Sequence, residues 1–243
     1  DMMPAGLYLQ LAARHPDIVF VESAPLIMGF RHKKSALEQE LVSMAAKINH
    51  DALGKMVSEL RPGMTEAEAV CLVEAHQRSQ GADGVFNIIS SGDFGADPSA
   101  RASVFLPGNR RIASGDCVIV EISCSYGGYW SQIVRVMTMG SGDTDLLGMQ
   151  QAAMKTLEVG IAELRPGMPI NVFFDGMVRE AARLGYKMIT PSGHLCGMDL
   201  VEMRIDSKVT YPLDSEMTFI CHPFLVDSAG RWLFWGNTFV MTA

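Results

Sequence analysis

The chain has 243 residues, 48% of them hydrophobic and 19% charged, with 27 acidic against 20 basic side chains and a formal net charge of −7. That balance suits one large folded domain with a substantial core, and it leaves no sign of a nucleic-acid footprint or of attraction to an anionic membrane surface. No apolar stretch approaches the ~20 residues that span a bilayer. The five cysteines lack CxxC spacing and read as reduced, mostly buried thiols of a cytoplasmic protein.

Residues 1–31 differ in character from the rest of the chain. MPAGLYLQLAARHPDIVFVES predicts a helix and a short strand, then a link from Pro25 to Arg31, like the tail of a truncated or missing earlier domain. The main domain is expected over 32–243. In HKKSALEQE, Ser35 is a helix N-cap with Glu38 as its capping-box partner, and Thr65 with Glu68 repeats the pattern. The chain also carries an internal repeat: SELRPGM at 58–64 returns as AELRPGM at 162–168, and Gly81 and Gly185 stand at the same 104-residue offset. Each copy ends one helix, turns at Pro-Gly, enters a second helix and stops it at Gly, which suits the left-handed C′ position. Two pseudo-symmetric halves are implied, each with helices packed on strands. Strands are expected at 85–90, 102–106, 117–124, 129–138, 217–225 and 231–241, with hairpin turns at Gly127-Gly128 and Asp227–Gly230. The fold class is α+β, a curved and mostly antiparallel sheet with helices on its outer side.

The segment GDCVIVEISCSYGGYWSQIVRVMTMG places Glu121 and Gln132 eleven positions apart on the arms of a hairpin. Together with the loop PSGHLCGMDLVE and the strands MTFICHPF and GNTFVMT, it resembles the pita-bread family of creatinase, Xaa-Pro aminopeptidase, prolidase and methionine aminopeptidase. The resemblance implies a site where metal enzymes carry five ligands, two Asp, one His and two Glu. Those positions hold Glu121, Gln132, His194, His222 and Gly236, with Asn237 in place of the family's next Asp. The family's early-loop His falls on Ser99 in SSGDFGADPSA, leaving Asp93 and Asp97 as that loop's ionisable groups. Only His194 matches its ligand position unchanged.

This set admits three readings. In the first, a metal-free enzyme uses Glu121, His194 and His222 for acid–base hydrolysis or elimination on a small amide, amidine or amino-acid-like substrate. Gln132, Tyr126, Glu202 and Asp97 would then contact that substrate. In the second, the pocket belongs to a catalytically silent protein that binds a ligand or partner. In the third, Glu121, His194 and His222 hold a single divalent metal. No cofactor is otherwise expected. Arg135 matches a family Arg and is expected to pair with Glu121, while Glu202 is a substrate contact or a salt-bridge partner. Cys196 and Cys221 are expected to pack in the core. The resemblance further implies a homodimer.

Overall fold

A computed structural model describes residues 3–92, 106–141 and 143–242. The elements in chain order are α1 (Ala5–Arg14), α2 (Ala24–His32), α3 (Ala36–Glu59), α4 (Glu66–Ser79), β1 (Gly84–Gly92), β2 (Cys117–Tyr126), β3 (Tyr129–Thr138), α5 (Thr144–Glu163), β4 (Met168–Pro169), α6 (Ile170–Arg183), β5 (Lys187–Ile189), β6 (Gly193–Leu195), β7 (Met203–Arg204), β8 (Pro212–Leu213), β9 (Thr218–Cys221), β10 (Phe224–Val226), β11 (Trp232–Phe234) and β12 (Asn237–Val240).

Both capping boxes form. The Ser35 hydroxyl accepts from the Glu38 amide while the Glu38 carboxylate accepts from the Ser35 amide, and Thr65 and Glu68 do the same. The two repeats yield the paired helices α3/α4 and α5/α6, and the glycines just beyond each pair, Gly81 and Gly185, have φ of 92° and 89°. The first pair packs on the meander β1-β2-β3, where Ala52, Met56, Val70 and Val73 meet Val118, Val120 and Ile122. The second pair covers the later strands, with Phe173, Met177 and Leu157 against Leu195, Phe219 and Cys221. Residues of alternate parity along β2 enter these two separate clusters, so this strand is buried on both faces and its alternation is blurred.

Four expectations need correction. Residues 18–21 form no strand, because among the described residues no neighbouring strand pairs with their backbone. The expected link from Pro25 to Arg31 is instead α2, with Pro25 in its first turn, where a missing N–H is tolerated. The strand expected at 217–225 is split at His222-Pro223, and the one at 231–241 at Trp235-Gly236. In each case the chain changes sheets there: β9 and β12 belong to the order β12-β9-β6-β7, β10 and β11 to β11-β10-β5. The strand expected at 102–106 lies, apart from Leu106, outside the described residues.

The junction between α2 and α3 is fastened by a buried ion pair. Lys34 donates to Glu202 at 2.7 Å, their side chains 1% and 0% exposed, and Arg31 joins at 3.3 Å. The loop that carries Glu202 also accepts from the hairpin through Trp130 N–H to Gly197 O at 2.8 Å. Removing one member of a buried pair strands the other charge, which typically costs ~3–5 kcal/mol, whereas an apolar replacement of both is often neutral. Urea unfolding should show Lys34→Met destabilised by about that amount, with Lys34→Met/Glu202→Leu recovering most of the loss. A single substitution that costs no more than the double would contradict this role.

Candidate active site

Backbone pairing sets most of the family-matched positions on neighbouring strands. On β2, Glu121 lies opposite Val134 of β3, and Ser123 lies opposite Gln132. Val134 also exchanges backbone hydrogen bonds with Gly236, at 3.0 and 3.3 Å, which joins the first sheet to the last strands. One step along, the Thr238 hydroxyl accepts from the Gln132 amide and donates to its carbonyl, both at 2.9 Å.

His194 and His222 come from neighbouring chain segments. His194 lies on β6 opposite Ile220, and His222 directly follows β9 with its amide donating to Ser192 O at 3.0 Å. Their rings sit edge to face, centroids 5.8 Å apart, and His222 also meets Phe234 at 5.5 Å. The Gly before His194 is required by its backbone. Gly193 has φ of 140°, and a Cβ there would come within 2.1 Å of Ile220 O. Gly236 is equally confined: a Cβ would fall 2.2 Å from Cys221 O and 2.5 Å from His222 Cβ.

The site carries little charge. Burial lifts the Glu121 carboxyl to about 7, and no hydrogen bond or ion pair holds it among the described residues. Burial likewise pulls His194 down to about 4, against carbonyls of Leu195 and Leu200 that favour its protonated form. His222 falls to about 3 through burial and then through His194 beside it. The expected Glu121–Arg135 pair does not form. Arg135 stands opposite Val120, one residue from Glu121, so strand alternation turns it to the other face. There it donates to Val134 O and Gly236 O at 2.8 Å and to Asn237 Oδ1 at 2.7 Å, with its guanidinium 4.5 Å from the Trp235 ring centroid. Nor does a protonated His offset Glu121, since both imidazoles are held neutral.

Several side chains here bury polar atoms without partners. Among the described residues, Ser123 Oγ, both amide atoms of Gln132 and His222 Nδ1 are all unpaired. Ser123 and Thr238 were missed from sequence, although each lies two residues beyond a family-matched position and so shares its face. Among the other expected contacts, Tyr126 packs at the hairpin tip with Val85, Ala45 and Ile48, away from Glu121. Glu202 is held in the Lys34 ion pair, and Asp97 lies outside the described residues. Cys196 and Cys221 are fully buried, and burial raises the Cys196 thiol to about 12. Among the described residues, no three His, Cys, Asp or Glu side chains are grouped to hold a metal ion, and no helix is long and apolar enough to cross a membrane.

The model of metallopeptidase family M24 matches residues 40–243, and the chain belongs to that family. It is 30% identical over 207 residues to the uncharacterized peptidase YqhT of Bacillus subtilis (strain 168), covering 83% of this chain and 57% of that protein. It is 26% identical over 182 residues to the Xaa-Pro dipeptidase of Pyrococcus furiosus, covering 73% of this chain and 51% of that protein. The chain therefore spans little more than half the length of these curated relatives. Among solved structures, the prolidase from Pyrococcus horikoshii OT3 superposes with a TM-score of 0.90 at 22% identity, covering 100% of this chain and 70% of that one. The X-Pro aminopeptidase from Thermotoga maritima MSB8 gives 0.87 at 21% identity, covering 99% and 68%. The fold is the α+β pita-bread fold.

The charge state of Glu121 sets a pH dependence. In the folded protein it stays protonated up to about 7, against 4.5 for a free carboxyl. Its contribution to stability is therefore complete below about 4.5 and is lost as pH rises through about 7. The two imidazoles act in the opposite sense: theirs is complete above 6.5 and lost as pH falls through about 4 and about 3. Relative to wild type, Glu121→Gln should gain about 2–3 kcal/mol between about pH 5 and about pH 8. Urea unfolding at both values checks this, and a gain independent of pH would contradict it.

Proposed function

We propose that this M24-family chain handles a small amide, amidine or amino-acid-like compound in a site without the family's two-metal centre, as a C–N bond hydrolase or lyase. The observation that carries this reading is the donor set itself: at the five family ligand positions stand one carboxyl group, one amide, two imidazoles and a glycine. Two divalent cations need several anions to offset and bridge them, and Glu121 supplies at most one. The residues present do not fit a dinuclear centre. The single-ion set of Glu121, His194 and His222 gets no support from side chains that are not grouped for it among the described residues.

Glu121 is the one group here that titrates near neutrality, where a general acid or base works best. In hydrolysis it would take a proton from the attacking water and return it to the departing nitrogen as the C–N bond breaks. His194 and His222, held neutral, would orient the substrate by hydrogen bonds rather than transfer its protons. The unpaired atoms of Ser123, Gln132 and His222 are further groups a polar ligand would satisfy. A second reading, a catalytically silent binding protein, is favoured by the near-complete burial of those same atoms. The homodimer and the cytoplasmic setting implied by the resemblance belong to the proposal.

A thermal-shift screen of amino acids, dipeptides and guanidino compounds on wild type and His194→Ala tests the site. A compound should stabilise wild type, and the variant should lose that shift while its own melting temperature changes little. The absence of any hit on wild type would overturn the ligand reading. Hydrolysis of Xaa-Pro dipeptides should stay undetectable with added Mn²⁺ or Co²⁺. Metal-dependent turnover abolished by Gln132→Ala would refute the metal-free assignment.

A further inference from the structure

The chemistry proposed for the inner face uses two buried histidines and leaves a third, His32, unused. His32, the last residue of α2, is 1% exposed, and among the described residues neither of its ring nitrogens has a hydrogen-bond partner. Its ring meets Tyr211 edge to face at 4.9 Å. The charged groups around it are Arg31 and Lys34 on its own segment and Glu202 on the loop beyond β6. Lys34 Nζ donates to the His32 carbonyl at 3.2 Å and to Glu202 at 2.7 Å, and Arg31 bridges Glu202 and Asp199.

A neutral imidazole fits this setting as an apolar ring packed on Tyr211. An imidazolium would add a third cation beside Arg31 and Lys34, opposed among the described residues by Glu202 alone and with no acceptor there for either N–H. Burial is the largest influence disfavouring the proton, with Lys34 and Arg31 adding to it and Glu202 opposing. The consequence extends beyond α2. The Glu202 amide donates to Leu195 O at 2.9 Å, next to His194 on β6, so the ion pair beside His32 also holds the loop just after His194.

We propose that His32 is an acid-sensitive latch, closed when neutral, that fastens α2 to the loop after His194 and releases both when protonated. Release breaks no covalent bond. The ring takes up a proton, leaves Tyr211 for water, and the Lys34–Glu202 pair loses its dry cover. This inference is independent of any ligand or reaction at the inner face.

Hydrogen exchange on the full chain tests it, with rates converted to protection factors so that intrinsic pH effects cancel. In wild type, protection at 24–34 and 195–204 should fall by about tenfold per pH unit below about 6.5, the slope for an opening coupled to one proton. In His32→Gln, which cannot take up the proton, protection in both segments should stay level across the same range. His32→Phe, which keeps a ring against Tyr211, should do the same and serves if the glutamine variant does not fold. Protection in wild type that does not change with pH, or an equal loss in the variants, would overturn the latch. Loss confined to 195–204 and retained in the variants would assign the acid response to His194 and His222 instead.

Discussion

The two halves of the fold are joined where Val134 and Gly236 exchange backbone hydrogen bonds, and that junction leaves no room for a side chain at 236. A Cβ would press on Cys221 O and on the Cα and Cβ of His222. Both late strands change sheets at this point, one at His222-Pro223 and the other at Trp235-Gly236, so two positions distant in sequence become neighbours. An imidazole at 222 and a bare backbone at 236 are mutually accommodating. A carboxylate at 236 would require the strands to move apart.

The electrostatics of the site depend on this junction. Without a carboxylate at 222 or 236, Glu121 is the only acid matched to a family ligand position, and strand alternation turns Arg135, which pairs with the neighbouring Val120, to the opposite face. Arg135 is instead satisfied by carbonyls, the Asn237 amide and the Trp235 ring. Neither imidazole then offers Glu121 a charge, and among the described residues burial is the one influence on its protonation. Such a site holds its acid neutral at low pH and keeps its imidazoles from charging, which favours hydrogen-bonded recognition over charge pairing.

Much of the fold was legible in the chain because its signals were local. Ser35 with Glu38, Thr65 with Glu68, the glycines ending the repeated helices and the limits of β3 all depend on residues close in sequence, and each appears as expected. The errors came where long-range pairing decides. Ile18, Val19, Phe20 and Val21 have strand-forming side chains, but a strand exists only with a neighbour. The breaks at 222–223 and 235–236 reflect which sheet each half joins, which periodicity cannot report. The family-matched positions could be read from spacing, yet the side to which Arg135 turns depended on register, and Tyr126 packs at a hairpin tip far along the strand from Glu121. The burial of Lys34 against Glu202 had no sequence signal, since its neighbours in the chain are Arg31, His32, Lys33 and Ser35.

The central claim, that this pita-bread site works without two metal ions, is tested most directly by metal stoichiometry. Elemental analysis of the purified chain after dialysis, paired with calorimetric titration of Mn²⁺ and Co²⁺ near neutral pH, measures it. Less than a stoichiometric equivalent of transition metal should remain, with no saturable binding heat. Two equivalents that survive dialysis would contradict the claim. One equivalent lost on Glu121→Gln would replace it with the single-ion reading.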